Sequence, residues 1–126
     1  MLPLDKQVQI VSDNAKGIVS RLTVSENPKM EDTETTLAEL RTRLENTIAY
    51  VEQFSEKDFA NAASAEARFP YFPGVHMVGA DYILGYAIPN FFFHVVTTYD
   101  ILRQHGFDIG KSDYMGKAIP FIADKA

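Results

Sequence analysis

The sequence predicts an all-α helical bundle formed by a single domain, residues 1–126. Two long stretches repeat apolar residues every three or four positions, the period of one helix face. A third stretch is apolar nearly all round, the pattern of a helix enclosed by others. Hydrophobic residues make up 46% and charged residues 23% of the 126 positions, enough apolar mass for the core of one compact domain.

In the first stretch, Leu4, Val8, Val11, Ala15, Ile18 and Leu22 fall on one face. Asp5, Gln9, Asp13, Lys16 and Ser20 lie opposite and read as its solvated side. The spacing predicts a helix from about residue 4 to 24, closed before Asn27-Pro28 because proline disfavours a helical residue ahead of it. The second helix is predicted to start near Asp32 or Thr33, both good N-caps, with Glu34 in its first turn. Leu37, Leu40, Leu44, Ile48 and Val51 form its core stripe, Glu39 and Arg43 pair on its wet side, and it fades near Phe54-Ser55.

Residues 56–79 contain FPYFPGVHMVG, whose Pro and Gly residues predict an irregular or short hairpin-like segment lying across the helices. The third helix is predicted from about residue 80 to 105, with Gly106 as its stop. One apolar line holds Leu84, Ile88, Phe91, Val95, Thr98 and Leu102, and Tyr82, Tyr86 and Phe93 form another. Pro89 removes a backbone donor and crowds the carbonyl of Gly85, so a kink is expected there. The tail, with Tyr114, Met115, Ile119, Phe121 and Ile122, is expected to pack back on the bundle.

Composition excludes several classes of function. The formal charge is −5, whereas a protein built on phosphate contacts is normally basic, so no nucleic-acid partner is expected. The acidity is concentrated in residues 26–66, where ten acids face four bases, the pattern of a solvated helix. The longest apolar run, residues 82–96, falls short of the roughly 20 residues of a membrane span. The charged opening MLPLDKQVQI lacks the apolar core of a signal peptide, so the expected setting is cytoplasmic, with no membrane partner. The absence of Cys removes disulfides, thiolate nucleophiles and sulfur-held metals. No phosphate-cradling glycine loop or serine-nucleophile motif is present.

The candidate functional residues form a polar line inside the apolar third helix. Ile83, Ala87, Asn90, His94, Thr97 and Ile101 recur at helical spacing, and three of them are polar. A buried polar side chain without a partner costs about 1–3 kcal/mol, so partners are required. The carbonyl freed near Gly85 is one candidate for Asn90, while Gln7, Asn14 and Arg21 repeat every seven residues along the first helix and are placed to meet the line. This arrangement predicts a small-molecule pocket lined by Gln7, Asn14, Asn90, His94 and Thr97. His94 is its proton carrier for weak acid/base catalysis. The alternative is a non-catalytic structural or oligomerisation module in which the polar line only fixes helix register. A metal site needs two or three converging His or carboxylates. Asn90 stands where a second His would pair with His94, Asp13 lies on the opposite side of its helix, and His76 and His105 lie elsewhere. No metal or other cofactor is therefore predicted.

Three stretches carry a family resemblance: PLDKQVQIVSDNAKGIVSRL (3–22), EDTETTLAEL (31–40) and, most specific, PNFFFHVVTTYDILRQHG (89–106). They resemble a domain-of-unknown-function family within the DinB/YfiT-like superfamily of metal-dependent four-helix bundles. Active members of that superfamily, including thiol-dependent transferases and hydrolases, often use three histidines, a pair of them on the last helix. By position the pair falls at Asn90 and His94 and the third ligand near Gln7, so only His94 is retained. A metal-dependent transferase or hydrolase is thus the third functional reading. The resemblance also implies a further helix before PLDKQVQ, leaving three long helices here with the first family helix missing. Apolar surface is then expected to be open around Ile10, Gly17 and Val24 and along the third helix. A homodimer, or the tail from Tyr114 to Ile122, would cover it.

Overall fold

The computed structural model describes residues 1–116. Its long helices are α1 (Leu4–Thr23), α2 (Leu37–Val51) and α4 (Ile88–Gln104). Between α2 and α4 come two 3-10 turns (Glu56–Phe59 and Ala62–Ser64) and two short strands, β1 (Glu66–Arg68) and β2 (His76–Val78). The four-residue α3 (Gly79–Tyr82) and a π turn (Ile83–Ala87) follow, and α5 (Lys111–Met115) closes the described chain.

Helix α1 is the central element, with α4 packed on one side and α2 on the other. This position reverses two expectations. The side of α1 read as solvated is largely buried, with Gln9, Lys16 and Ser20 all enclosed. The 24–36 loop covers it and supplies partners: Lys16 Nζ donates to the Pro28 carbonyl (2.9 Å), and Gln9 Nε2 donates to Glu34 (2.9 Å). Conversely, among the described residues the helix expected to be enclosed is covered on one side only. Leu84 is 71% exposed and Phe93 63%, and Ile88, Phe92 and Val96 are also open to solvent. Near the expected uncovered positions on α1, Ile10 is half-buried and Gly17 is buried, while Val24 is open.

Helix α2 starts later than predicted because Thr36, and not Asp32 or Thr33, is its cap. The Thr36 hydroxyl accepts from the Glu39 N–H (3.2 Å), and the Glu39 carboxylate accepts from the Thr36 N–H (3.0 Å), closing a capping box. Glu39 is thereby committed to the cap and does not pair with Arg43. Arg43 points inward and is 3% exposed. Its guanidinium donates to Asp13 (2.8 Å), Asp32 (3.0 Å), Glu34 (3.1 Å), the Ser12 hydroxyl (3.1 Å) and the Glu31 carbonyl (3.2 Å). Three acids of the acidic segment and its surroundings therefore neutralise one buried cation. Of the predicted α2 stripe, Leu40 is buried, Leu44 and Val51 are half-buried, and Leu37 and Ile48 are exposed.

The hairpin expectation for residues 56–79 holds in part. β1 and β2 pair antiparallel, Ala67 opposite Met77, and fold over the C-terminal half of α1. Here sits the apolar core: Leu22, Ala67, Phe69, Tyr82 and Ala87, flanked by Ile18, Phe59, Met77 and Ile83. Gly79 joins the hairpin to α3 with its N–H on the Ala65 carbonyl (2.8 Å), and the Ala62 carbonyl occupies the space a side chain there would need. Ahead of Pro89, the backbone widens into the π turn, in which the Ile88 N–H reaches back to the Ile83 carbonyl. The proline's missing donor is thus accommodated by a locally wider helix. At the other end, Tyr114 packs edge-on against Tyr99, their ring centroids 6.4 Å apart. Ile119, Phe121 and Ile122 lie outside the described residues.

Candidate functional site

The polar lines of α1 and α4 meet. His94 Nδ1 lies 2.6 Å from Gln7 Oε1, and Asn90 Nδ2 lies 3.4 Å from Asn14 Oδ1. Position 7 opposes 94 and position 14 opposes 90, so the two helices run antiparallel. The heptad spacing on α1 and the four-residue spacing on α4 keep both pairs in register.

The donor and acceptor roles follow from the surroundings. Gln7 Nε2 donates to the Leu2 carbonyl (3.1 Å), so its oxygen faces His94. His94 Nδ1 must then carry the proton, which leaves Nε2 as the ring atom with a free lone pair. Burial holds the His94 pKa below the ordinary histidine value, favouring this neutral form. Asn14 is anchored by donating from Nδ2 to the Ala87 carbonyl (2.9 Å), the last residue of the π turn. That is a correction: the π-turn carbonyl takes Asn14 as its partner, and Asn90 bonds the Asn14 side chain in turn. Thr97 is buried, but its hydroxyl donates to the Phe93 carbonyl of its own helix (2.7 Å) and, among the described residues, reaches no partner across the bundle.

Of the five predicted residues, Asn14 and Asn90 share one cavity. A cleft of about 260 Å³ between α1, the π turn and the hairpin is lined by Asn14 and Asn90, together with Ile10, Asp13, Arg21, Asn27, Phe69, Tyr71 and Tyr86. Gln7, His94 and Thr97 are absent from its lining, and His94 stands one helical turn beyond Asn90. Sequence reasoning missed Tyr71 and Asn27, which have no periodicity linking them to the helices. It noted Arg21 only as part of the heptad line and Tyr86 only as apolar. The Tyr71 hydroxyl is pushed up to about 12, first by desolvation and then by the neighbouring Tyr86. It is therefore a neutral hydrogen-bonding group at physiological pH.

Two larger hollows differ in character. One, of about 470 Å³, lies over the start of α2 beside Glu31, Glu34 and Arg43. The other, of about 480 Å³, is apolar, between the start of α1 and the end of α4, lined by Leu2, Leu37, Leu102 and Phe107 among others. The smaller cleft is the one that collects polar side chains from both helices and the intervening loops.

A family model for a domain of unknown function, DUF1993, matches residues 1–115. The chain belongs to this family. The DUF1993 chain is also similar to a solved structure described as a DinB family member protein from Shewanella denitrificans. The identity is 46% and the TM-score 0.92, and the match covers 98% of this chain and 70% of that one. A comparison with curated proteins gave no match. The all-α, DinB-like fold follows from the agreement between this likeness and the helices described above.

The three-histidine metal site implied by the superfamily does not fit the residues found here. The matching positions hold two amides and one histidine, and the Gln7 amide oxygen is already engaged by His94. Asn90 is likewise turned to Asn14. Neutral amides are weak donors for the transition metals that such sites take. Among the described residues, no three His, Asp or Glu side chains converge to hold an ion. Nor, among them, is any helix long and apolar enough to cross a membrane.

Proposed function

We propose that this DUF1993 domain binds a small polar molecule in the cleft between α1 and the π turn. The observation that carries this reading is the cleft itself: Asn14, Asn27, Arg21, Tyr71, Tyr86 and Asn90 offer hydrogen-bonding groups from two helices and two loops to one volume of about 260 Å³. The adjoining π turn supports it, since such turns cluster at functional sites. His94, with a neutral ring and a free Nε2, is the group beside the cleft able to accept a proton, which extends the reading to weak acid/base catalysis. A small-molecule screen by thermal shift tests it. A true ligand at 100 times its Kd is expected to stabilise the protein by about 2.7 kcal/mol. Asn90→Leu is expected to abolish that gain. If Asn90→Leu raises stability and the hits remain unchanged, the amides serve packing alone and the proposal fails.

A specific observation also favours assembly. Leu84, Ile88, Phe92 and Val96 stand four residues apart on the open side of α4 and its approach, a continuous apolar ridge. A second copy of the chain is its proposed occupant. Two identical ridges of this spacing interdigitate about a two-fold axis. Light scattering is expected to give a dimer that Phe92→Asp converts to a monomer. A monomeric wild-type chain would end this reading.

A further inference from the structure

Among the described residues the cleft carries a guanidinium with no acidic partner, and an apolar hollow adjoins it; together they define a ligand class. Arg21 Nε donates to the Arg68 carbonyl (2.9 Å) and Nη1 to the Tyr82 hydroxyl (3.1 Å), both uncharged acceptors. Its guanidinium carbon lies 4.5 Å from the centroid of the Phe69 ring. Among the described residues no carboxylate lies within ion-pair distance of it, whereas the enclosed cations Lys16 and Arg43 both have acidic partners. The other charge lining the cleft, Asp13, is already neutralised by Arg43 (2.8 Å) and Lys16 (3.1 Å). The guanidinium also has a prepared place: Gly17, one turn earlier on α1, has no side chain, and a methyl group there would overlap Arg21 Nη1. Among the described residues no group accepts from Nη2, which can donate to an incoming anion.

The cleft shares Phe69, Tyr71 and Tyr86 with a second hollow of about 180 Å³. That hollow is walled by Phe72, Val75 and Met77, with His76 as its one other polar residue besides the shared tyrosines. The Phe69 ring meets both tyrosines, at 5.6 Å from Tyr71 and 5.5 Å from Tyr86 between centroids. These three aromatic residues therefore border both spaces, one amide-lined beside the guanidinium and one apolar.

Resting on the binding reading above, we propose that the ligand is a small carboxylate bearing a ring or short apolar chain, its carboxylate on Arg21 and its apolar end between Phe72, Val75 and Met77. The partly desolvated guanidinium selects the anion, and the apolar hollow selects against short, fully polar acids.

The test uses the whole protein and three probes followed by amide and side-chain NMR: 3-phenylpropionate, the uncharged 3-phenylpropanol and propionate. 3-Phenylpropionate is expected to shift the signals of Arg21, Asn14, Asn90 and Val75 saturably, and to bind about tenfold more tightly than either of the others. Arg21→Gln is expected to remove the preference for the acid over the alcohol. Val75→Asp, at an exposed position where folding is undisturbed, is expected to weaken 3-phenylpropionate but not propionate. Equal binding of acid and alcohol overturns the proposed class while leaving the cleft as a site. If an unbiased fragment set also leaves the Asn14 and Asn90 signals unmoved, the class and the underlying binding reading fall together.

Discussion

Arg43→Met is expected to destabilise the protein toward the lower end of the roughly 3–5 kcal/mol typical when one partner of a buried ion pair is removed. The lower end applies because Asp13 and Asp32 keep about half their side-chain surface in water, at 52% and 44%, whereas Glu34 is at 11%. Glu34 is thus left as a nearly enclosed carboxylate with only Gln9 as a side-chain donor. Ser12 and Thr47, 2.7 Å apart, lose the guanidinium that bridges them to the 24–36 loop. For a domain of this size the drop corresponds to a Tm lower by roughly 10–15 °C, readable by calorimetry.

The same cluster contributes to the acid stability. Desolvation raises the Glu34 pKa, but hydrogen bonds from its own backbone, Gln9 and Arg43 outweigh it, and the net value lies below the ordinary 4.5. A carboxyl depressed on folding contributes stability that is present above its unfolded value and is lost as pH falls through the folded one. Wild-type stability is therefore expected to decline below about pH 4.5, and Arg43→Met to show a shallower decline over that range. Equal acid slopes for the two proteins would show that the Arg43 contacts do not set the Glu34 titration.

Tyr82→Ala is expected to be at least as damaging, about 3–5 kcal/mol, by leaving a cavity in the core. Tyr82 is fully buried, its ring 5.6 Å from Phe69 and 6.2 Å from Tyr86 between centroids. Tyr82→Phe keeps the packing and removes only the acceptor for Arg21, an expected loss of about 1 kcal/mol. Chemical denaturation of both variants separates the two contributions. A Phe variant as unstable as the Ala variant would mean that the hydroxyl contact, and not ring packing, holds this end of the bundle.

The site was legible to the extent that it depends on spacing. Gln7 and Asn14 repeat at seven residues and Asn90 and His94 at four, and both periods place side chains on one helix face. That the two faces meet is what the pairing of His94 with Gln7 and Asn14 with Asn90 realises. The cleft was not legible, because a third of its wall comes from Asn27, Phe69 and Tyr71 in irregular segments. Their position depends on where the hairpin crosses α1, which no local pattern encodes.

The misread surfaces share one cause. Gln9, Lys16, Ser20 and Arg43 are polar, and polarity predicts solvent only when no other segment supplies hydrogen-bond partners. Here the 24–36 loop brings Pro28, Asp32 and Glu34 to Lys16, Arg43 and Gln9, while the Ser20 hydroxyl donates to the Gly17 carbonyl of its own helix. The outer ridge of α4 is the converse, apolar side chains left in the open by the same arrangement.

Helix periodicity, the proline that perturbs the last helix and the two polar registers were determined by the sequence alone, since each depends on neighbours within a few residues along the chain. Which side of α1 is covered, which acids surround Arg43 and which residues complete the cleft were decided only by tertiary structure. Burial and electrostatic compensation depend on segments distant in sequence, and those are fixed by packing.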